Sequence, residues 1–187
     1  MAKNSIIYII IGIIVALFSI YYLFMRRPIR QSRIKDVKGD GGCLFRAIAK
    51  SIHPEQDETQ KAKELQQSIL EWVSKHRDYH VSSSRGDGTT YKVSNGMYLT
   101  PNAVDESSYP LATYLEGCHS ITVDQYLKKY QTFGKWGGTF EIMIASILLQ
   151  RRIKVYDHKS RKFLDFGKHH QQETRLIYAN DHYRYFL

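Results

Sequence analysis

From Asn4 to Met25 the chain carries no charged residue, and the stretch Ile6 to Phe24 holds only Ile, Tyr, Gly, Val, Ala, Leu, Phe and Ser. Such a run leaves few outcomes open. A helix rises about 1.5 Å per residue and needs about 20 residues to cross a hydrocarbon core of about 30 Å, so the run suffices for one span. Inside lipid the backbone must satisfy itself, so the span is expected to be helical despite its β-branched isoleucines. With isoleucines all round, such a helix has no amphipathic face to lay against a soluble core. A cleaved leader fits less well: the run is too long for an h-region, only Lys3 precedes it, and no small-x-small site comes before Arg26. The sequence therefore predicts a transmembrane anchor over residues 1–25, with Tyr21 and Tyr22 placed to reach the interface.

Arg26, Arg27, Arg30, Arg33 and Lys35 follow at once, and Pro28 is placed to stop the helix. By the positive-inside rule this basic linker, residues 26–35, and everything after it face the cytoplasm. The same charges can rest on anionic headgroups. The location of charge also narrows function. The net charge is +9, yet six Lys or Arg and no acid fall within the first 35 residues. The remainder is close to balanced, so the folded domain lacks the basic excess of a nucleic-acid binder. Two cysteines, Cys43 and Cys118, set up no disulfide framework, and a cytoplasmic domain would keep them reduced.

Residues 36–187 contain no repeat and read as one domain. A turn, Gly39-Asp40-Gly41-Gly42, runs into a helix that opens at or beside Cys43, with Leu44, Ile48 and Ile52 at helical spacing and Pro54 ending it. A second helix is expected over 58–77, with Leu65, Ile69, Trp72, Val73 and His76 on one face. Residues 82–101 read as a surface loop or irregular hairpin, and 122–131 as a short helix with Val123, Tyr126, Leu127 and Tyr130 inward. An apolar helix from Thr139 to Gln150 follows Trp136-Gly137-Gly138, with Thr139 placed to cap it. Strand-like segments then run over Ile153–Tyr156, Lys162–Phe166, Arg175–Ala179 and His182–Leu187. Helices first and strands last predict an α+β fold, a mostly antiparallel sheet with helices packed on it.

Cys43 is the residue with chemistry to offer. A helix N-terminus presents unpaired N–H groups and favours an anion, and the thiolate is the reactive form of cysteine. Gly41 and Gly42 let the backbone pass close to a bound carbonyl, and N–H groups of such a turn can stabilise an oxyanion. A lone cysteine is otherwise most often a small buried hydrophobe.

The segment Asp40-Gly41-Gly42-Cys43-Leu44-Phe45-Arg46-Ala47 resembles the catalytic signature of the OTU (ovarian tumour) cysteine proteases. Trp136-Gly137-Gly138-Thr139-Phe140-Glu141 resembles that family's Trp-Gly-Gly element, and Ile153-Lys154-Val155-Tyr156 the strand after it. Leu176-Ile177-Tyr178 with His182-Tyr183 resembles its terminal strand and His-Tyr pair. The four elements stand in order across about residues 36–187.

The resemblance implies a papain-type fold and a deubiquitinase. It implies hydrolysis after the C-terminal glycine of ubiquitin, with Cys43 as nucleophile, His182 as base, Trp136 beside the substrate, and no metal or cofactor. The partners it implies are ubiquitin and ubiquitinated proteins, with the membrane held through the anchor. Its third residue is open. Many family members carry Asn or Asp two positions after the histidine, where this chain has Arg184, which has no acceptor. Asp40, three residues before Cys43, is the favoured acid, with Asn180, Asp181 or a bare dyad as alternatives. A catalytically dead, membrane-tethered ubiquitin-binding module is the rival reading, resting on Arg184 alone. His169-His170 has no Cys or acid at ligand spacing and reads as solvated loop rather than metal site.

Overall fold

The computed structural model describes residues 12–19, 33–82, 90–92, 96–101 and 108–187. The chain divides into two units, Met1–Ser32 and Arg33–Leu187. In the first, residues 12–19 are helical, and Ile13, Ile14, Val15, Leu17 and Phe18 are exposed. Among the described residues no helix is long and apolar enough to cross a membrane. The expected span over 1–25 lies largely outside the described residues, as does the linker up to residue 32.

The second unit is built around helix α1, Cys43–Ile52. Every residue from Cys43 to Ala49 is buried. Even Arg46 is buried, and only Lys50, Ser51 and Ile52 at its end are half-buried, so the helix runs through the core. Here α1 lies between helix α2 (Glu58–Lys75) and the strands β8 (Gln172–Ala179) and β9 (His182–Phe186). Asp57 opens α2 by accepting the Gln60 N–H at 2.6 Å. The helix buries Ala62, Leu65, Ile69, Leu70, Trp72 and Val73, close to the face read from the sequence.

Helix α3, Leu111–His119, is absent from the sequence reading. It starts directly after Pro110, contains Gly117, and buries only Leu111 and Leu115, so its periodic signal is slight. Helix α4, Val123–Tyr130, is closed by a reciprocal cap in which Thr122 Oγ1 accepts the Gln125 N–H and Gln125 Oε1 accepts the Thr122 N–H. Helix α5, Thr139–Leu148, is not capped by Thr139. The Gly138 N–H donates instead to the carboxylate of Glu141 at 2.6 Å, and Thr139 is already inside the helix.

The main sheet has five strands in the order β1-β9-β8-β6-β7, where β1 is Ile34–Lys35, β6 Arg151–Asp157 and β7 Lys162–Phe166. All pairings are antiparallel except β6 with β8. A smaller antiparallel sheet, in the order β3-β4-β2-β5, gathers β2 (His80–Ser82), β3 (Tyr91–Lys92), β4 (Tyr98–Thr100) and β5 (Tyr109–Pro110). The stretch read as a loop or irregular hairpin over 82–101 thus contributes β3 and β4, while residues 83–89 and 93–95 lie outside the described residues.

Two connections decide where the site falls. Strands β8 and β9 join through Asn180 and Asp181, with φ of 52° and 56°, and Ala179 pairs directly with His182. Two residues of positive φ form the mirror-image turn whose twist suits a hairpin, and Asn and Asp tolerate it. The second connection is β1. Ile34 pairs with Phe186 and Lys35 with Tyr185, and the Leu187 N–H donates to the Arg33 carbonyl at 3.0 Å. The last residues read as linker therefore enter the sheet, and the register carries Asp36 to the level of Arg184.

Candidate active site

Cys43 is the first residue of α1, preceded by Gly42, and lies in the wall of a cleft of about 280 Å³. Trp136, Gly137, Gly138 and Thr139 line one side, and Val155, Asp157, Leu164, Tyr178, Asp181 and Tyr183 the rest. The thiol is mostly buried but opens to this cleft, whereas Cys118 is exposed on α3. Trp136 is 61% exposed, so it is a wall of the cleft and not a core residue.

The turn before Cys43 is held by its own acid. Asp40 Oδ1 accepts from the Gly42 N–H at 3.1 Å and from Arg46 Nε at 3.1 Å, and its Oδ2 accepts from Arg46 Nη2 at 2.6 Å. This is the two-point fork of a guanidinium on a carboxylate. The rest of the Arg46 fork donates to Glu58 Oε1 at 3.1 Å and Thr59 Oγ1 at 2.8 Å. Arg46 is buried within α1, so these bonds let a permanent charge sit in the core. The Arg46 hydrogen bonds, above all, hold the Asp40 carboxyl below its ordinary value against the opposing effect of burial.

Asp40 is therefore not the carboxylate at the imidazole, contrary to the sequence expectation. Its lone pairs are directed at Arg46 and at the turn. Asp181 is also engaged elsewhere, since its Oδ1 accepts from the Tyr178 hydroxyl at 2.8 Å, and Asn180 belongs to the two-residue turn. The carboxylate touching His182 is that of Asp36, with Oδ1 at 2.7 Å from Nε2. The same oxygen stands 3.3 Å from Arg184 Nε. The sequence reading missed Asp36. The signal was a two-residue strand in what looked like linker, too short to show a period.

His182 opens β9, the strand packed against α1, so the two chemistry-bearing residues sit on facing elements. Its Nδ1 side lies by Gly39, where a Cβ would stand 3.8 Å from the ring. An ionised carboxylate only accepts, so the bond to Asp36 fixes the proton on Nε2 and leaves Nδ1 with the lone pair in the neutral ring.

The glycines have a use that the motif alone does not disclose. Gly41 has φ +83°, and a Cβ there would collide with the carbonyl oxygen of Gly134. A Cβ on Gly137 would stand 2.7 Å from Leu44 Cδ2. The turn before Cys43 and the Trp-Gly-Gly loop are thus pressed against each other's backbone and side chains. The Gly42 N–H is consumed by Asp40, which removes it as an oxyanion donor. The Cys43 N–H belongs to the first turn of α1, where no intrahelical acceptor exists, and it remains the donor next to the sulfur.

Behind the loop, buried Glu141 ties the second wall in place. Its Oε2 holds the Gly138 N–H and its Oε1 accepts from the Tyr126 hydroxyl at 3.0 Å. The Tyr130 hydroxyl donates to the Trp136 carbonyl at 2.6 Å. Burial, then the Glu141 charge, pushes the Tyr126 hydroxyl far above its ordinary value, so it stays a donor. Among the described residues no group of three or more His, Cys, Asp or Glu is placed to hold a metal ion.

The chain resembles known proteins in family and in fold. Residues 38–184 match the family model described as OTU-like cysteine protease. A Tipula iridescent virus protein that carries the name ubiquitin thioesterase is 22% identical over 140 residues, which is 72% of this chain and 13% of that one. The chain thus spans a small part of that relative's length. Among solved structures, an ovarian tumour domain in complex with ubiquitin superposes with a TM-score of 0.55 at 18% identity, covering 81% of this chain and 67% of that one. The Hazara virus OTU bound to ubiquitin gives 0.52 at 15% identity, covering 82% and 79%. At such identities the solved structures speak for the fold, and the family model for descent: the chain belongs to the OTU-like cysteine protease family.

Proposed function

We propose that the unit Arg33–Leu187 is a deubiquitinase, in which Cys43 attacks the carbonyl carbon of the last glycine of ubiquitin and His182 serves as general base. The observation that carries the reading is Cys43 at the start of a buried helix, open to a cleft, with His182 on the strand packed against that helix. The name of the viral relative and the ubiquitin seen with two structural neighbours support the choice of substrate. His182 Nδ1 takes the thiol proton, and the sulfur forms a bond to the carbonyl carbon. The oxyanion meets the Cys43 N–H. His182 then gives its proton to the leaving amine as the C–N bond breaks, and water, deprotonated by the same imidazole, cleaves the thioester. Trp136, Gly137 and Gly138 form a wall suited to a tail with no side chains.

The N-terminal segment is the second part of the proposal. The charge-free run and the basic cluster after it support a single span that leaves the catalytic unit on the cytoplasmic side.

A ubiquitin probe ending in an electrophile tests the enzyme. The wild-type chain and Cys118→Ala should be labelled, and Cys43→Ala should not. Labelling of Cys43→Ala would move the nucleophile elsewhere. Tight but purely non-covalent binding by the wild-type chain would favour a dead ubiquitin-binding module.

A further inference from the structure

We propose that Asp36, on the residue that follows β1, is the positioning residue for His182, and that Arg184 is its clamp. The inference rests on the reading of Cys43 and His182 as nucleophile and base.

The geometry is set by the sheet. Antiparallel β1 and β9 pair through Ile34 with Phe186 and Lys35 with Tyr185, so residue 36 arrives opposite residue 184. Side chains two apart on a strand share a face, so His182 and Arg184 point the same way and Asp36 meets both. The contacts follow: 2.7 Å to His182 Nε2 and 3.3 Å to Arg184 Nε, on one carboxylate oxygen. The Val37 N–H donates to the same oxygen at 3.0 Å, a second hydrogen bond beside the Arg184 ion pair. Desolvation alone would raise the carboxyl, but the hydrogen bonds from His182 and Val37 and the charges of Arg184 and His182 together hold it below its ordinary value. Asp36 is therefore ionised wherever the enzyme works, and accepts from Nε2 without competing as a donor.

This arrangement also accounts for Arg184. A cation at that position cannot orient an imidazolium, but it can hold the carboxylate that does. Orientation thus comes across the sheet from β1, and the strand carrying the base supplies only the clamp. The carboxylates of Asp40, Asp157 and Asp181, which lie around the same site, are occupied by Arg46, by Ser160 and the Lys159 N–H, and by Tyr178 respectively.

The side chain of Asp36 is 67% exposed, so water can replace part of what it does. The expected loss is therefore about 10- to 100-fold in kcat, far below the ~10⁴ seen when a buried triad acid is changed. The experiment measures kcat, KM and thermal unfolding of the full chain for Asp36→Ala, Arg184→Asp and the double variant, all in a Cys118→Ser background. Asp36→Ala should lose kcat with KM changed less than about twofold and the unfolding temperature nearly unmoved, as suits an exposed group. Arg184→Asp puts a carboxylate back on the same face and should restore most of the lost kcat in the double variant. A second readout is the rate at which iodoacetamide alkylates Cys43, which should fall in Asp36→Ala and recover in the double. Wild-type kcat in Asp36→Ala overturns the proposal, as does a loss taken in KM or one the double variant fails to restore. Asp36-dependent alkylation in a chain that ignores the ubiquitin probe would sink the substrate reading alone. Alkylation and turnover both indifferent to Asp36, with Cys43→Ala dead, would sink only the present inference.

Discussion

Replacing Asp40 by Ala separates two roles for that carboxylate, and the structure sets the size of the effect. The Arg46 side chain is 4% exposed, and two of the four hydrogen bonds of its fork go to Asp40. Removing one partner of a buried pair typically costs about 3–5 kcal/mol. Two features reduce that here: Asp40 is 28% exposed, and Glu58 remains on the guanidinium. An expectation of about 2–3 kcal/mol follows. For a domain of this size each kcal/mol moves the midpoint by about 2–4 °C, so unfolding should come about 5–10 °C earlier. The assay is far-ultraviolet circular dichroism of the full chain in mild detergent, for Asp40→Ala, Arg46→Ala and the double variant. The double should cost less than the sum of the singles by about 1–3 kcal/mol, the mark of a shared contact. The pH dependence has a definite sign. A carboxyl held below its ordinary value of 3.8 in the folded state contributes stability above that pH, which is lost as pH falls through the lower folded value. The gap between wild type and Asp40→Ala should thus be constant from neutral pH to about pH 5 and close below about 3.8. An unchanged midpoint together with a hundredfold or larger fall in turnover would refute this reasoning and return Asp40 to the imidazole.

Two further outcomes follow from the site and the N-terminus. Glu141→Ala strands the Gly138 N–H and the Tyr126 hydroxyl in a buried place and should cost about 2–5 kcal/mol by thermal unfolding, with Glu141→Gln costing less; a neutral Glu141→Ala would deny that carboxylate its place in the Trp136 wall. Removing residues 1–30 should move the chain from the membrane fraction to the soluble one with turnover intact, and recovery of the full-length chain in the soluble fraction would remove the anchor.

The parts of the site that the sequence disclosed were those written in contiguous residues. The Gly-rich turn with Cys43 at a helix start, the Trp-Gly-Gly element before an apolar helix and the closing strands all declared themselves by period or by motif, and the family model covers the same stretch. What stayed hidden was pairing at a distance. Nothing in the string says that the Asp40 carboxylate faces Arg46, six residues on, or that Asp36 meets His182 across 146 positions of chain. Both choices depend on which side of α1 and which edge of β9 a carboxylate faces. Helix α3 was missed for a related reason, since two buried leucines leave no period strong enough to read.

Strand β1 has a consequence for the molecule's company as well as for its chemistry. In the order β1-β9-β8-β6-β7 it occupies the outer flank of the strand that bears His182. Without it, the N–H and C=O groups of Tyr185 and Phe186 would form an open row, ready to be completed by a strand from another chain. With only Ile34 and Lys35, β1 fills that row yet is itself too short, and too charged at Lys35, to invite a further neighbour. A truncation that stops before Arg33 leaves this strand in place. One that runs a few residues further strips the seal from the sheet, and the protein so made should meet its own copies edge to edge.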